Sequence, residues 1–203
     1  MKIQIVEKND TEIKFVIQEI TDAFANELRR IMMSEVPTMA IEWVDFKKND
    51  SVVNDELLSN RLGQIPLTFD QKAYELPEEC KCEGKGCSRC QVEMVLKKKG
   101  PGMIYSGDLK TKAKDVKPVF DNIPIVELFE GEELQFEANA QLGKGKTHAK
   151  WQGAVVGYKQ DKDVFTFTVE SVCGLPTEDV ISTAAEVFEN KISDFNKSLG
   201  KLK

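Results

Sequence analysis

The most constraining feature of the sequence is a regular apolar repeat that follows Pro176. Acidic residues open this segment and lysines lie near its end, as suits the dipole of a helix. Apolar residues recur at intervals of four and three, which is the a/d spacing of a helix that packs along a second helix. The repeat consists of Ile181, Ala185, Phe188, Ile192, Phe195 and Leu199. The sequence therefore predicts a long helix with one continuous apolar stripe.

Two kinds of surface could cover this stripe. A helix of a globular protein most often packs its apolar face on its own chain. However, Val180, Ala184 and Val187 widen the apolar surface of this helix. The helix could therefore contact its own sheet and another chain at the same time.

A second amphipathic helix is predicted nearer the N-terminus. Thr21 is a suitable N-cap, and Pro37 forbids continuation. The helix carries apolar residues at helical spacing, and Arg29 and Arg30 lie off that stripe. Alternating apolar residues predict a β-hairpin before this helix. The same alternation predicts strands at 39–46, 134–140, 155–158 and 164–169, and a short helix is expected over 55–62. The elements together predict an α+β fold.

The length and net charge of the chain limit the classes of protein to which it can belong. A chain of 203 residues can form one core or two modest lobes. A net charge of −6 argues against a protein whose main task is to neutralise nucleic-acid phosphates. No apolar stretch approaches the roughly 20 residues that span a bilayer, and the first residues read as a strand instead of a signal peptide. We therefore expect a cytoplasmic protein without a membrane partner.

Four of the five cysteines lie together. Cys80, Cys82, Cys87 and Cys90 fall within eleven residues, and Cys173 lies far downstream as an expected buried apolar residue. In a cytosolic chain such a cluster indicates a metal site more than disulfides. Four thiolates form a closed tetrahedral set that suits structural zinc, and an iron–sulfur cluster fits this spacing less well. Gly84 and Gly86 would allow the tight reversal between the two pairs, and Lys81, Lys85 and Arg89 would offset the negative charge. Four free thiols are the remaining alternative.

A catalytic site finds little support in the sequence. Gly145-Lys146-Thr147 resembles the end of a phosphate-binding loop, but Ala140 stands where that motif requires its first glycine. His148 has no evident nucleophile partner in the sequence. A nucleotide hydrolase is therefore a weak alternative, and so is a zinc-loop nucleic-acid-binding protein based on the cysteines and nearby lysines.

Three longer segments and one short one resemble a single family. Residues 24–41, 55–67 and 142–151, together with 105–109, are similar to the RNA polymerase proteins that include the archaeal D subunit, the third-largest subunit of eukaryotic polymerase II and the bacterial α subunit. The segments stand in the family's order, and the stretch from the first to the last of them, residues 24–151, is most of the chain. The resemblance implies a two-lobe fold: residues 1–46 and 160–203 form a discontinuous dimerisation lobe of a sheet and two long helices, and 47–159 form a mostly β insert lobe with the cysteine loop.

The resemblance also implies a non-catalytic role in assembly. In this family the first and last helices pair with a smaller subunit, called L in archaea, and the heterodimer becomes the platform for the large catalytic and small assembly subunits. DNA would be contacted only through the complex, because the catalytic carboxylates of the family belong to the largest subunit. The cysteine loop resembles the zinc loop of the eukaryotic relative, whereas the added iron–sulfur domain of many archaeal D subunits is missing from this sequence.

The family assigns two sets of contact residues. The expected partner-subunit interface comprises Phe24, Leu28, Ile31, Ile181, Ala185, Phe188, Ile192, Phe195 and Leu199. The expected docking surface for large subunits comprises Arg29, Arg30, Lys144, Lys146, His148 and Lys150. A solvated face is the alternative for the second set, since exposed lysines are common and surface ion pairs contribute only about 0–1 kcal/mol.

Overall fold

The computed structural model describes residues 1–83 and 85–201, which form two compact units. Met1–Pro37 and Lys144–Lys203 form the terminal unit, and Thr38–Gly143 form the insert unit. The strands are β1 (Lys2–Lys8), β2 (Glu12–Gln18), β3 (Pro37–Asn49), β4 (Gln91–Lys99), β5 (Gly102–Tyr105), β6 (Lys110–Thr111), β7 (Pro124–Leu128), β8 (Glu133–Lys144), β9 (Ala154–Asp161) and β10 (Val164–Ser171). The α-helices are α1 (Asp22–Ser34), α2 (Asp55–Gly63) and α3 (Thr177–Gly200). The predicted α+β class is confirmed.

The terminal unit is built on an antiparallel sheet with strand order β1-β2-β10-β9. Strand β2 pairs with β10, so the beginning and the end of the chain meet in the middle of the sheet. Phe15 and Phe167 are paired across these two strands and stack with ring centroids 5.2 Å apart. Both rings are buried, so this pair ties the two ends of the chain into one core.

Helix α1 begins as its sequence predicts. The Thr21 hydroxyl accepts a hydrogen bond from the Phe24 amide at 3.2 Å, which satisfies one of the free amides of the first turn. Its buried residues are Ala25, Leu28, Ile31 and Met32. These positions follow helical spacing, so one face of the helix packs into the unit while Arg30 remains exposed on another.

Helix α3 divides its apolar residues between two faces. Val180 and Ala184 are completely buried and face the unit's own core. The a/d residues lie on a neighbouring face, and in the second half of the helix Ile192, Phe195 and Leu199 are all exposed. One face of the helix therefore packs on the unit's own sheet, and the a/d stripe stays largely uncovered.

The insert unit contains a sheet of order β3-β8-β4-β6 and a two-stranded ribbon of β5 and β7. The Asn54 side chain caps the N-terminus of helix α2, because it accepts a hydrogen bond from the Leu57 amide at 3.2 Å. Leu58 and Leu62 are fully buried on one side of the helix. Among the described residues, no helix is long and apolar enough to cross a membrane.

The units divide at positions different from the predicted lobe boundaries. The sequence interpretation places the boundaries at 46/47 and 159/160, whereas the compact units divide at 37/38 and 143/144. Residues 144–159 group with the terminal unit because β9 pairs with β10 along its whole length. The two strands form a hairpin closed by the two-residue turn at Lys162 and Asp163, and the predicted boundary at 159/160 divides this hairpin.

Candidate partner-binding face and metal loop

The terminal unit has an open apolar groove of about 560 Å³. Strands β1 and β2 form one part of its lining, and α1 and α3 form the other. The side chains are almost all aliphatic or aromatic, with Glu178 and Glu189 as the carboxylates of the lining. Such a groove is suited to apolar side chains from outside the unit.

Most of the predicted partner-contact residues line this groove. Phe24, Leu28, Ile181, Ala185, Phe188 and Ile192 all belong to the lining. Phe195 and Leu199 are not in the lining, and continue the stripe along α3 with exposures of 63% and 44%. Ile31 is 0% exposed, so the structure assigns it to the unit's own core. Its position between Leu28 and Met32 on the inward face of α1 explains the difference.

The sequence interpretation assigned no strand residue to the partner-contact face and so missed, among others, two exposed isoleucines of the groove. Ile3 and Ile5 on strand β1 line the groove and are 59% and 60% exposed. Helix α3 packs over β2 and β10, and α1 packs over β9, so the inner face of β1 stays uncovered. Alternation in β1 predicts a strand with an inward face, but only the tertiary arrangement shows that Ile3 and Ile5 on that face stay exposed.

Contacts between α1 and α3 hold one side of the groove in place. The rings of Phe24 and Phe188 lie 5.2 Å apart at an angle of 40°. Lys191 Nζ lies 2.8 Å from both Glu27 Oε1 and Glu35 Oε1. Hydrogen bonds with these two carboxylates raise the pKa of Lys191 above its ordinary value. The exposed end of α3 is therefore anchored to α1 by one aromatic contact and one cluster of charges.

The lysine-rich loop after β8 closes the C-terminal end of α1. The backbone amide of Lys146 donates to the Ser34 carbonyl at 2.8 Å, and the Gly153 amide donates to the Met33 carbonyl at 3.3 Å. These bonds satisfy carbonyls that a helix end leaves unpaired. A Cβ at Gly145 would lie 2.7 Å from the Met33 oxygen, so the close approach requires glycine.

The predicted docking residues consequently lie at one end of the terminal unit. Arg29 is one turn before Met33 and donates to its sulfur at 3.3 Å and to Asn26 at 3.1 Å. Arg30, Lys146 and His148 are exposed, whereas Lys144 and Lys150 are half-buried. The structure thus groups the two arginines with the loop, although they are more than a hundred residues apart in sequence.

His148 and Lys150 are both engaged with their surroundings. His148 Nδ1 accepts the Lys150 amide at 3.1 Å, and the Lys150 ammonium lies 4.5 Å from the centre of the Trp151 ring. The loop leads into the short 3₁₀-helix Ala149–Trp151, and a phosphate-binding loop would instead lead into an α-helix. The buried Trp151 ring fixes the loop to the unit.

The four clustered cysteines converge in the insert unit. The Cys80 and Cys87 sulfurs are 3.5 Å apart, as are those of Cys82 and Cys90, and the Cys87 and Cys90 sulfurs are 3.8 Å apart. All four lie within 4.8 Å of one another. The cluster, which we call the cysteine loop, can hold one metal ion.

Backbone turns bring each cysteine pair together. The Glu83 amide donates to the Cys80 carbonyl at 3.1 Å, and the Cys90 amide donates to the Cys87 carbonyl at 3.0 Å. Gly86 has a φ of +81°, and a Cβ there would lie 2.3 Å from Gln91 Oε1. The predicted need for glycine at 86 therefore has a physical basis, whereas Gly84 lies outside the described residues.

The electrostatics of the thiols favour a bound cation. The hydrogen bond with Cys90 lowers the pKa of Cys82 to about 7. Burial raises the pKa of Cys90 to about 12. Thiols this close resist simultaneous ionisation, because each thiolate disfavours the next. A metal cation would remove that penalty and allow all four sulfurs to act as ligands.

The charged residues around the cysteine loop differ in their contacts. Arg89 Nη2 lies 2.7 Å from Glu75 Oε1, and the Glu75 amide donates to the Arg89 carbonyl at 2.8 Å. Arg89 is thus engaged with the segment before the first cysteine, while Lys81 and Lys85 are exposed. Cys173 belongs to the terminal unit, and burial raises the pKa of its thiol. It has no part in the cluster.

Comparison with known proteins identifies similar sequences. A family profile described as the RNA polymerase Rpb3/RpoA insert domain matches residues 44–159, more than half of the chain. The DNA-directed RNA polymerase subunit Rpo3 of Methanothermobacter thermautotrophicus is 50% identical over 155 residues, which are 75% of this chain and 58% of the relative.

Two further archaeal relatives carry the same name. The Rpo3 subunit of Pyrococcus furiosus is 46% identical over 78% of this chain and 59% of its own length. The Rpo3 subunit of Methanosarcina mazei is 43% identical over 86% of this chain and 66% of its own length. The present chain therefore spans about three fifths of the length of such relatives.

Proposed function

Because the chain belongs to the RNA polymerase Rpb3/RpoA insert-domain family, we propose that it is a non-catalytic assembly subunit of a DNA-directed RNA polymerase. The observation that carries this proposal is the apolar groove of the terminal unit together with the exposed second half of α3. Association of proteins is driven largely by burial of such surface. The chain thus acts by pairing with another polypeptide.

The partner for this face is the small polymerase subunit known in archaea as L. Two helices of the chain, α1 and α3, border the groove, and the exposed stripe of α3 has the a/d spacing of helix-on-helix packing. A partner that lays a helix along this stripe would cover Ile192, Phe195 and Leu199. Its side chains would also fill the groove against Ile3 and Ile5.

The basic end of the terminal unit is the proposed docking surface for a large subunit. Arg29 and Arg30 on α1 and the loop with Lys144, Lys146, His148 and Lys150 meet there. The backbone bonds between the loop and α1 hold these groups in a fixed arrangement, which lowers the entropic cost of docking. The assembled enzyme, and not this chain alone, would then contact DNA.

We propose that the cysteine loop binds structural zinc. Zinc–thiolate bonds of about 2.3 Å in a tetrahedron separate the sulfurs by about 3.8 Å. Three of the six sulfur pairs lie 3.5 to 3.8 Å apart, and all six lie within 4.8 Å. A multi-iron cluster would hold its four ligands further apart. With all four positions taken by protein, the ion would order residues 80–90 and offer no position to a substrate.

A zinc-loop nucleic-acid-binding protein is not favoured. The relatives are polymerase subunits by name, and the net charge of −6 disfavours phosphate binding by the chain alone.

Co-expression with the small subunit L tests the proposal. The two chains should elute together from a sizing column, and Phe188→Asp should abolish co-elution because a carboxylate would be buried without a counter-charge. A chain that remains a separate soluble monomer beside subunit L would contradict the proposal. Metal analysis of the purified heterodimer should find zinc in stoichiometric amount, and its loss in Cys82→Ser would assign the ion to the loop.

A further inference from the structure

One edge of the open face of α3 carries a charge that the chain itself does not neutralise. When two helices pack together, the residues that flank the a/d stripe on either side set the choice of partner. On α3 they are Ser182, Glu189 and Asn196 on one edge and Ala184, Lys191 and Ser198 on the other. Of these residues only Glu189 and Lys191 are charged, so electrostatic selection along the stripe depends on these two.

Lys191 is already bound by its own chain. Its ammonium group lies 2.8 Å from a carboxylate oxygen of Glu27 on α1 and 2.8 Å from one of Glu35, the C-cap of the same helix. A partner that used Lys191 would have to compete with both carboxylates. This edge of the stripe therefore contributes to the chain's own fold more than to selection of a partner.

Glu189 has no such counter-charge. It is exposed and lines the groove, and it forms no ion pair in the part of the chain that the structure describes. Glu186, one turn earlier, is also exposed and is likewise unpaired among the described residues. The other carboxylate of the groove lining, Glu178, is paired with Lys8. We call Glu186 and Glu189 the acidic edge.

The helix cannot neutralise the acidic edge through its own neighbours. No lysine or arginine stands three or four residues from either glutamate, which are the spacings at which helical side chains meet. The two carboxylates are themselves three residues apart and repel each other. A cation from outside would relieve this repulsion, and its attraction would be stronger beside the apolar stripe, where a partner excludes water.

The lysines around this face are engaged within their own chain. Lys8 and Lys191 are paired as described above, and two further pairs are Lys2 with Glu19 and Lys197 with Asp194. Lys201 follows the last turn of α3 and does not belong to either flanking edge of the stripe. A second copy of the chain would therefore bring no free flanking cation to the acidic edge, whereas its own carboxylates would add to the repulsion.

We propose that the acidic edge selects the partner of this face: the segment of subunit L that covers the a/d stripe presents lysine or arginine to Glu186 and Glu189. This inference rests on the proposed pairing with subunit L and specifies the charge that the partner must carry. The apolar stripe supplies the buried area of the contact, and the acidic edge distinguishes a basic partner from a second copy of the chain.

Charge reversal at the acidic edge tests the proposal in the full chain. Glu186→Lys/Glu189→Lys changes two exposed side chains, and α3 should form normally because lysine and glutamate have similar helix propensities. Asp161→Lys/Glu170→Lys is the matched control, since it changes the net charge equally at exposed residues outside the groove lining. Isothermal titration with subunit L at low and high salt measures Kd, and thermal unfolding reports on the fold.

We expect the acidic-edge variant to raise Kd at least about tenfold at low salt, because repulsion replaces attraction at two positions. High salt should reduce this difference, since it screens exposed charges. The control should bind within about twofold of wild type. If the reversal destabilises the fold, Glu186→Gln/Glu189→Gln decides the matter: it keeps the side-chain size and should show a smaller loss of affinity that also shrinks with salt.

A charge swap separates an ion pair from a structural defect of α3. Lysines and arginines of subunit L are changed to glutamate one at a time, and at least one change should restore most of the affinity lost in the acidic-edge variant. The absence of any restoring change would overturn the proposal, as would a Kd that shifts no more than in the control.

Self-association of the wild-type chain tests the other occupant. If analytical ultracentrifugation finds a dimer of the chain alone that Phe188→Asp abolishes, a second copy occupies the face and the proposal is wrong. Failure of the wild-type chain to bind subunit L would instead contradict the proposed function itself, on which this inference rests.

Discussion

Replacing Phe195 by alanine should weaken pairing with the small subunit and leave the chain's own fold intact. Full burial of a phenylalanine side chain contributes about 1.5–3 kcal/mol. Phe195 is 63% exposed in the chain alone, so roughly that share of the contribution is still available to a partner. The truncation therefore forfeits about 1–2 kcal/mol of binding free energy, which corresponds to a Kd about 5- to 30-fold higher.

Isothermal titration of the purified chain with subunit L measures this change. Val155→Ala is the control, since Val155 is 52% exposed on the edge strand β9 and lies outside the groove lining. Thermal unfolding of each variant without partner reports on the fold. The reasoning is refuted if Phe195→Ala binds within about twofold of wild type, or if its Tm falls while the control is unaffected.

Three further substitutions test residues that stabilise the cysteine loop or the terminal unit. Gly86→Ala should lower zinc affinity about tenfold, because a φ of +81° costs a residue other than glycine about 1–2 kcal/mol. Competition with a chromophoric chelator measures the change in affinity. Gly145→Ala should destabilise the terminal unit by about 1–3 kcal/mol through its clash with Met33, seen as a lower Tm. The pKa of Lys191 is raised above 10.5, so the ammonium group stabilises the fold at neutral pH, and this contribution is lost as the pH rises through the raised pKa. In Lys191→Met the free energy of unfolding should therefore fall less steeply at alkaline pH.

Each of these changes has a close control in the chain. Ser88 is an exposed residue between Cys87 and Cys90, so Ser88→Ala should leave zinc affinity unchanged. A Cβ at Gly157 meets nothing within 4 Å, so Gly157→Ala should have little effect on Tm. Lys197 is 71% exposed and its described ion pair is with Asp194 on its own helix, so Lys197→Met should keep the alkaline slope of wild type. A control that changes as much as its test variant would contradict the corresponding argument.

Features with local causes could be predicted from the sequence. The cysteine cluster lies within one short segment, so spacing alone brings the sulfurs together. The caps at Thr21 and Asn54 act on amides three residues away, and both helices begin where predicted. The a/d repeat likewise identified the face of α3 that remains open.

Features that depend on distant pairing could not be predicted in the same way. The pairing of β2 with β10 joins Glu12–Gln18 to Val164–Ser171, and neither segment carries a local mark of the other. Ile31 has the same spacing as Leu28, yet it lies in the core because the sheet approaches α1 from that side. The exposure of Ile3 and Ile5 depends on which strands the helices fail to cover.

The arrangement of the terminal unit couples folding of the chain to its proposed role. The groove is lined by β1, β2 and α1 from one end of the chain and by α3 from the other. Contacts of high sequence separation form late, because they require closure of a long loop. The insert unit is one contiguous stretch, Thr38–Gly143, so its own contacts do not require the two ends of the chain to meet. A chain that has not yet joined β2 to β10 therefore has no groove to offer, so the small subunit would select chains whose two ends are already assembled.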